Sequence, residues 1–331
     1  MSEERFVRER IEGWTDLRAL VTRAQQRGLR SLSGADVRRL GALYRAATAD
    51  LATARTLRLD PDTIAHVNRV AAAAHDLVYA APARPAGSRL WHFVSAGFPA
   101  LVRRTAAYHV TAGVTFLLGV AAAFAVFRHD PAFADTVFGP DLRARAVASA
   151  SGASYLELPG MVRPVFSWGI VTNNVNAMLA AFALATPFAF GGVVMMLYQG
   201  MFALGGVLAV FADEGAAGSV LTFAAAHGPL ELTAIFIGCG AGMRIGVAPL
   251  LPGRRERLAA FVDTAKESIA LVGGAALMLL LAAQFEGHVS PTTLPPVVKW
   301  SVGAVWVVLL ALYFGRAGRR TAASSDAAPN R

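Results

Sequence analysis

The sequence contains a single cysteine, Cys239, and few charged residues for a chain of 331 residues. One cysteine excludes an intramolecular disulfide and also a zinc site made of several cysteines. Charged residues account for 16% of the chain, whereas soluble proteins average roughly 25%. This deficit excludes a typical cytosolic enzyme. The first ten residues are charged and lack an apolar core, so we expect no cleavable signal peptide.

Apolar residues make up 55% of the chain, and they occur in long blocks. A bilayer core of about 30 Å is spanned by a helix of about 17–25 mainly apolar residues. Six stretches reach that length, at about 106–127, 168–187, 191–211, 220–247, 269–285 and 297–314. The sequence therefore predicts an all-α polytopic membrane helix bundle with about six spans over residues 105–315.

Residues 1–87 are polar by comparison, and their apolar residues recur every three or four positions, as from Val7 to Val21. We interpret them as a cytoplasmic helical domain. This domain is either a plain bundle or also a docking surface for a soluble partner. Residues 1–104 contain 17 arginines and 10 acidic residues, but the basic residues are not interleaved with aromatic residues that would stack on bases. We therefore expect no binding of nucleic acid.

Residues 88–104 combine aromatic residues with arginines, a composition typical of the membrane–water interface. Aromatic rings lie at headgroup level there, and guanidinium groups meet lipid phosphates. We predict an amphipathic interfacial elbow helix that connects the cytoplasmic domain to the first span. The side chains expected at the interface are Trp91, Phe93, Phe98, Arg103 and Arg104.

The distribution of basic residues predicts the orientation of the chain in the membrane. If the N-terminus is cytoplasmic, 26 of the 31 lysines and arginines lie on the inner side and 5 on the outer side. The positive-inside rule then places both termini in the cytoplasm and the protein in the cytoplasmic (inner) membrane. We expect segment 128–167 to be an outer loop and residues 316–331 to be a disordered cytoplasmic tail.

Strongly polar side chains within the predicted spans are the candidate functional residues, because a charged group at membrane depth costs about 2.5–3.5 kcal/mol. A rise of about 1.5 Å per residue places most of them at overlapping depths in the outer half of the bilayer. We expect Glu231 and His227 to form the centre of a network with Asn173 or Asn174. The whole polar set is Asn173, Asn174, Asn176, Gln199, His227, Glu231 and Glu286.

Three interpretations of this polar set remain open on the sequence alone. The side chains either bond across helices as structural contacts, or line an outward-facing polar cavity that binds or conducts a solute. In the third interpretation His227 and Glu231, four apart on one helix face, belong to a metal or hydrolytic centre. A zinc site requires three protein ligands, and the sequence spacing brings only two candidate ligands together here. We therefore expect no metal, no other cofactor and no catalytic residue.

Gly238, Gly242 and Gly246 recur every four residues and form a smooth stripe on the predicted fourth span. Such a stripe lets helix backbones approach closely, either within one chain or at a dimer interface. Arg244 lies about 20 Å along the same helix from Glu231, too far to pair with it. We expect the Arg244 side chain to extend to the inner headgroups.

Several stretches of the sequence resemble the stage II sporulation protein M family of membrane proteins, over roughly residues 88–315. The most specific is the His-Gly-x-x-Glu motif from His227 to Glu231, followed by a glycine-rich tail. The family often has asparagine before the glycine where this chain has Gln199, so the sequence departs from the pattern there. The stretches lie at 172–176, 198–200, 227–237, 242–246 and 285–291.

The resemblance implies a multi-spanning membrane protein without an established catalytic activity. The family's namesake anchors two peptidoglycan-degrading partners during spore engulfment, and many relatives are encoded near MoxR-type AAA+ ATPases. It therefore implies a non-enzymatic scaffold or anchor that recruits envelope-remodelling partners of one of these kinds. The alternative is a transporter or channel-like protein with an outward-facing polar cavity, and a third reading is an intramembrane hydrolase.

Overall fold

The fold consists of helices arranged in two compact units. The computed structural model describes residues 3–28, 31–79, 86–156 and 158–319. Within these ranges the chain forms helices and no strand, so the predicted all-α class is confirmed. The two units are Met1–Ala86 and Gly87–Arg331.

The first unit contains α1 (Glu3–Arg27), α2 (Gly34–Thr56) and α3 (Pro61–Tyr79). Its core is continuous across the three helices and buries the apolar face of α1, including Phe6, Trp14 and Leu17. The indole N–H of Trp14 donates to a carboxylate oxygen of Asp50 on α2 at 2.9 Å. The buried polar atom of this large side chain is therefore satisfied.

A capping box explains why α2 begins at Gly34. The Ser33 hydroxyl accepts a hydrogen bond from the backbone N–H of Asp36, and the Asp36 carboxylate accepts one from the backbone N–H of Ser33. Hydrogen bonds from the Ser33 hydroxyl and backbone lower the pKa of the Asp36 carboxyl below its usual value. The cap thus fixes the turn between α1 and α2.

The second unit opens with the segment that we predicted to be an interfacial helix. A π-helical turn interrupts it, so the segment consists of α4 (Ala86–His92), the turn (Phe93–Gly97) and α5 (Phe98–Arg104). Trp91 is 71% exposed, whereas Phe98 is 3% exposed and lies over Gly274. Phe98 therefore belongs to the protein core, which corrects the expectation that its ring enters the headgroup region.

Two arginines of this segment, Arg103 and Arg104, bind protein groups. Arg103 donates to the carbonyl oxygen of Phe314 at 2.9 Å. Arg104 forms an ion pair with Glu267 at 2.5 Å. The half-buried Phe93 packs its ring against Phe98, with 5.8 Å between the centroids. The two arginine contacts fasten the segment to the bundle, whereas the sequence predicts that the guanidinium groups meet lipid phosphates.

Six helices of the second unit are long and apolar enough to cross a membrane, as the sequence predicts. The third of them is continuous but contains a π-helical turn (Gly200–Gly205) between α10 (Ala189–Gln199) and α11 (Gly206–Asp213). The helices are α6 (Ala106–His129), α9 (Arg163–Ala185), α10 (Ala189–Gln199) with α11 (Gly206–Asp213), α13 (Gly228–Val247), α14 (Arg257–His288) and α15 (Pro296–Arg316).

The fourth span is shorter than the stretch 220–247 that its hydropathy suggested. A separate helix, α12 (Ala217–Ala225), comes first, and α13 starts only at Gly228. Pro229 explains the break, because proline lacks an N–H and its ring clashes with the carbonyl four residues earlier. Proline is nevertheless well suited to the first turn of a helix. His227 therefore becomes the residue that precedes α13.

Helix α13 lies at the centre of the second unit, between α6, α9 and α14. In the most apolar stretch of α13, 67% is buried inside the protein, against 11% in the peripheral α15. The glycine stripe of α13 faces α9: a Cβ on Gly238 would meet Met178, and one on Gly242 would meet the Phe182 carbonyl oxygen. A Cβ on Gly246 would approach the backbone of α9 in the same way. The stripe thus serves close packing within the chain.

The predicted loop 128–167 contains two helices, α7 (Pro131–Phe138) and α8 (Pro140–Ala150). We call the end of the bundle that carries them the loop end, and the opposite end, where α5 and the end of α15 meet, the terminal end. At the terminal end, α15 stops at Arg316. Residues 320–331, most of the predicted disordered tail, lie outside the described residues.

Arg143 connects α8 to the loop end of the bundle. It donates hydrogen bonds to Asp135 at 2.5 Å and to Glu214 at 2.8 Å, and it lies 3.4 Å from a carboxylate oxygen of Asp213. The hydrogen bond to Asp135, with those to the other carboxylates, raises the pKa of Arg143 above its already high value. The guanidinium therefore stays charged and holds α7, α8 and α11 together.

Candidate functional site

Four of the predicted polar residues meet at the loop end of the bundle. His227 precedes α13, Glu231 lies in its first turn, Glu286 lies near the end of α14, and Asn174 lies on α9. One ligand atom from each of His227, Glu231 and Glu286 falls within 4.8 Å of the other two. We refer to His227, Glu231, Glu286 and Asn174 as the carboxylate cluster.

Helical geometry brings His227 and Glu231 together. The backbone N–H of Glu231 donates to the His227 carbonyl oxygen at 3.1 Å, so one turn separates the two residues. Residues four apart lie on the same helix face. Nε2 of His227 lies 3.6 Å from Oε2 of Glu231, which is longer than a hydrogen bond. The pairing within α13 is therefore the one that the spacing predicts.

Antiparallel packing of α13 and α14 adds Glu286, because the start of α13 lies beside the end of α14. The amide N–H of Asn174 donates to Oε2 of Glu286 at 3.3 Å. Asn174 is only 6% exposed, so its side chain is held inside the bundle. The expected network thus exists in a different form: the asparagine bonds to Glu286, whereas we had predicted Glu231 as its partner.

Close approach of α9 and α14 makes that hydrogen bond geometrically possible. A Cβ on Gly287 would overlap the Ser167 side chain, so only glycine fits at this position. Ser167 also shares a hydrogen bond of 3.3 Å with Nδ1 of His288. These contacts fix the register of α9 against α14 directly beside the cluster.

Two further residues support the cluster, and we did not include them among the predicted site residues. Ser290 shares a hydrogen bond of 2.8 Å with Nδ1 of His227. Lys299 is buried and donates to the carbonyl oxygens of Ser290 and Thr292 at 2.7 and 2.8 Å. The sequence offered two signals: Ser290 lies in the resembling stretch 285–291, and Lys299 is one of only two lysines.

The remaining polar residues of the predicted set lie outside the cluster or at its edge. Asn173 is exposed and donates to the side-chain oxygen of Asn174 at 3.1 Å. Asn176 is exposed on α9. Gln199 donates to the Ala177 carbonyl oxygen at 3.2 Å, a contact between α10 and α9. Of these, only Asn173 is linked to the cluster, through its neighbour.

A polar cavity of about 520 Å³ opens at the loop end beside the cluster. Its lining includes Ser290, Lys299 and Phe223. The ring of Phe223 packs edge-on against the His227 imidazole, with 5.5 Å between centroids. His227, Glu231 and Glu286 are not among the lining residues of this cavity. The cavity therefore reaches the residues around the imidazole and stops short of the carboxylates.

A second charged group lies at the terminal end. Arg244 of α13 forms an ion pair with Glu267 of α14, and Glu267 also pairs with Arg104. The side chain of Arg244 is only 17% exposed. This corrects the expectation that Arg244 extends to the headgroups, because its partner comes from the neighbouring helix. The two charged sites thus connect α13 to α14 near both ends.

The chemistry of the carboxylate cluster follows from its donor set. One imidazole and two carboxylates can share a proton, or they can bind a divalent metal ion through nitrogen and oxygen. Among the described residues, His227, Glu231 and Glu286 form a group that could hold a metal. Both possibilities require the three side chains to remain where the packing of α9, α13 and α14 places them.

Comparisons with known proteins agree with this architecture. A family model described as stage II sporulation protein M matches residues 105–291. A second model, described as a domain of unknown function, matches residues 4–80 in the first unit. No curated protein and no solved structure is detectably similar to the chain. The first match covers more than half of the chain and includes the whole carboxylate cluster, and the chain therefore belongs to the stage II sporulation protein M family.

Proposed function

We propose that the protein is a non-enzymatic membrane scaffold that anchors envelope-remodelling partners at the cytoplasmic membrane. The observation that carries this proposal is the first unit, which has its own hydrophobic core and its own family match on a six-span anchor. A domain that folds around its own core and is tethered to a membrane is well suited to hold a soluble partner at the membrane surface.

The surface of the first unit favours an acidic protein partner. Arg18, Arg23 and Arg27 lie along an exposed face of α1 and line a shallow cleft. Arg18 also lines a second cleft, of about 390 Å³, with Arg69 of α3. Basic clefts attract acidic surfaces and increase the association rate. Among the partners that the family resemblance implies, a MoxR-type AAA+ ATPase suits this cytoplasmic surface, whereas peptidoglycan-degrading enzymes suit the loop end.

The test uses the full-length chain in lipid nanodiscs and the MoxR-type ATPase and peptidoglycan-degrading enzymes of the same organism. We expect the ATPase to bind, and the double substitution Arg18→Glu with Arg69→Glu to weaken binding by about tenfold or more. The matched control reverses two exposed arginines of α2, Arg38→Glu with Arg45→Glu, and should leave binding unchanged. Absence of binding to every one of these partners would contradict the scaffold proposal.

A transporter is the second candidate, and the cavity beside His227 is the observation that favours it. In this reading a solute enters the cavity and reaches the carboxylates when the bundle moves. Proteoliposomes that take up a solute only when Glu231 is intact would support transport over scaffolding. Normal partner binding by Glu231→Gln, together with no uptake of solute by the unchanged chain, would favour the scaffold.

A further inference from the structure

The carboxylate cluster contains possible metal-ligand atoms that lie close together without a hydrogen bond between them. Nε2 of His227 lies 3.6 Å from Oε2 of Glu231, and Glu286 brings a third ligand atom within 4.8 Å of the other two residues' ligand atoms. His227 is 5% exposed. We propose that His227, Glu231 and Glu286 bind one divalent transition-metal ion of the Zn²⁺ class, which ties the start of α13 to the end of α14.

The distances fit such an ion with little rearrangement. Zinc binds imidazole nitrogen and carboxylate oxygen at about 2.0–2.2 Å, so tetrahedral ligands lie about 3.3–3.5 Å apart. The separation of 3.6 Å between His227 and Glu231 is close to that value. The Glu286 ligand atom lies within 4.8 Å of the other two, so it must come closer to complete the set.

The groups around the cluster match the support that metal ligands usually have. A metal-binding histidine usually donates its other N–H to an oxygen, and a metal-binding carboxylate usually accepts a further hydrogen bond. Ser290 Oγ lies 2.8 Å from Nδ1 of His227. Asn174 donates to Glu286 at 3.3 Å. When Nδ1–H donates to Ser290, Nε2 carries the free lone pair of the imidazole, and this atom lies 3.6 Å from Oε2 of Glu231.

Charge balance supports the same ion. When a divalent ion binds the three side chains, both carboxyl groups are deprotonated and the imidazole is neutral, so two negative charges balance the ion inside a helix bundle that crosses the membrane. Charges at this depth require a partner. A divalent ion bound by the three side chains neutralises the cluster completely.

The experiment measures Zn²⁺ binding to the full-length chain in lipid nanodiscs after treatment with a chelator. We expect one Zn²⁺ per chain by elemental analysis and calorimetry, and Co²⁺ in its place should give the visible absorption of a low-symmetry nitrogen–oxygen site. Glu286→Gln and His227→Asn should each weaken binding at least about tenfold, and Asn174→Ala about tenfold. The exposed controls Glu256→Gln and His129→Asn should bind as the unchanged chain does.

Two outcomes would overturn the proposal. One is the absence of stoichiometric Zn²⁺ binding by the unchanged chain, which is the result expected if the carboxylates share a proton. The other is unchanged affinity in Glu286→Gln and His227→Asn, which would place the ion elsewhere. If these variants fail to fold, the unchanged chain still decides: Zn²⁺ should raise its Tm and the chelator should reverse the rise. A Tm that does not respond to either reagent contradicts the proposal.

Discussion

Asn174 and Glu286 are 112 positions apart in the chain, and a hydrogen bond of 3.3 Å joins their side chains inside the bundle. This bond links α9 to α14 at the same level where Glu286 approaches His227 and Glu231. One amide group therefore positions a carboxylate that belongs to the candidate site. The first two predictions concern this relationship.

Substitution of Asn174 should destabilise the bundle. Asn174→Ala removes the donor to Glu286 and leaves a partly buried carboxylate oxygen without that bond, at a cost of about 1–3 kcal/mol. We expect a lower Tm for the purified chain in nanodiscs. Asn176→Ala, at an exposed position of the same helix, is the control and should change Tm little. Equal Tm values for the two variants would show that the hydrogen bond contributes nothing.

The two carboxylates should differ in their structural importance. Glu286→Leu removes the acceptor of the Asn174 amide, whereas Glu231→Leu removes only a 3.6 Å contact to an imidazole that Ser290 already binds. In metal-free protein we therefore expect Glu286→Leu to cost more stability, by about 1 kcal/mol. Denaturant unfolding of the two variants tests this order. A larger loss for Glu231→Leu would contradict the hydrogen-bond assignment.

The glycine stripe of α13 should not tolerate a methyl group. A Cβ at position 242 would meet the Phe182 carbonyl oxygen, so α9 and α13 must move apart in Gly242→Ala. Overpacking of this kind typically costs about 1–3 kcal/mol. Gly273→Ala on α14 is the matched control, because no atom lies within 4 Å of the added Cβ. In thermal unfolding, Gly242→Ala should therefore have a clearly lower Tm than Gly273→Ala.

Arg143 should stabilise the loop end at any working pH. Because its pKa is raised in the folded protein, the guanidinium contributes fully to the free energy of unfolding below its unfolded-state pKa. This contribution is lost only at extreme alkaline pH. Arg143→Met removes hydrogen bonds to Asp135 and Glu214 and should cost about 1–2 kcal/mol. Hydrogen exchange in α8 should accelerate in this variant, and Arg254→Gln at an exposed position should leave exchange unchanged.

Topology remains a prediction from the charge distribution. Cysteine introduced at position 150 on α8 should react with a membrane-impermeant maleimide from the outer side, and cysteine at 255 should be protected. Both positions are exposed in the structure. The native Cys239 is fully buried, so its background labelling should be low. Labelling at 255 with protection at 150 would invert the proposed orientation.

The sequence by itself determined the helical class and the six helices long and apolar enough to span a membrane. These properties are local, because hydropathy and length decide whether a segment can span a bilayer. The i, i+4 pairing of His227 with Glu231 was also local and therefore predictable. One local error, the start of the fourth span, came from weighing hydropathy above the helix-breaking effect of Pro229.

Only the tertiary structure decided which polar side chains meet. Contacts between helices depend on the rotation and register of each helix. Glycines at which another residue packs closely set that rotation and register, such as Gly287 against Ser167 and Gly274 under Phe98. Hydropathy carries no information about such close contacts. For this reason only the structure shows that Glu286 is the third member of the site and that Arg244 pairs with Glu267. The proposed metal site depends on antiparallel packing, which places the end of α14 beside the start of α13. No spacing within one helix can specify that relationship.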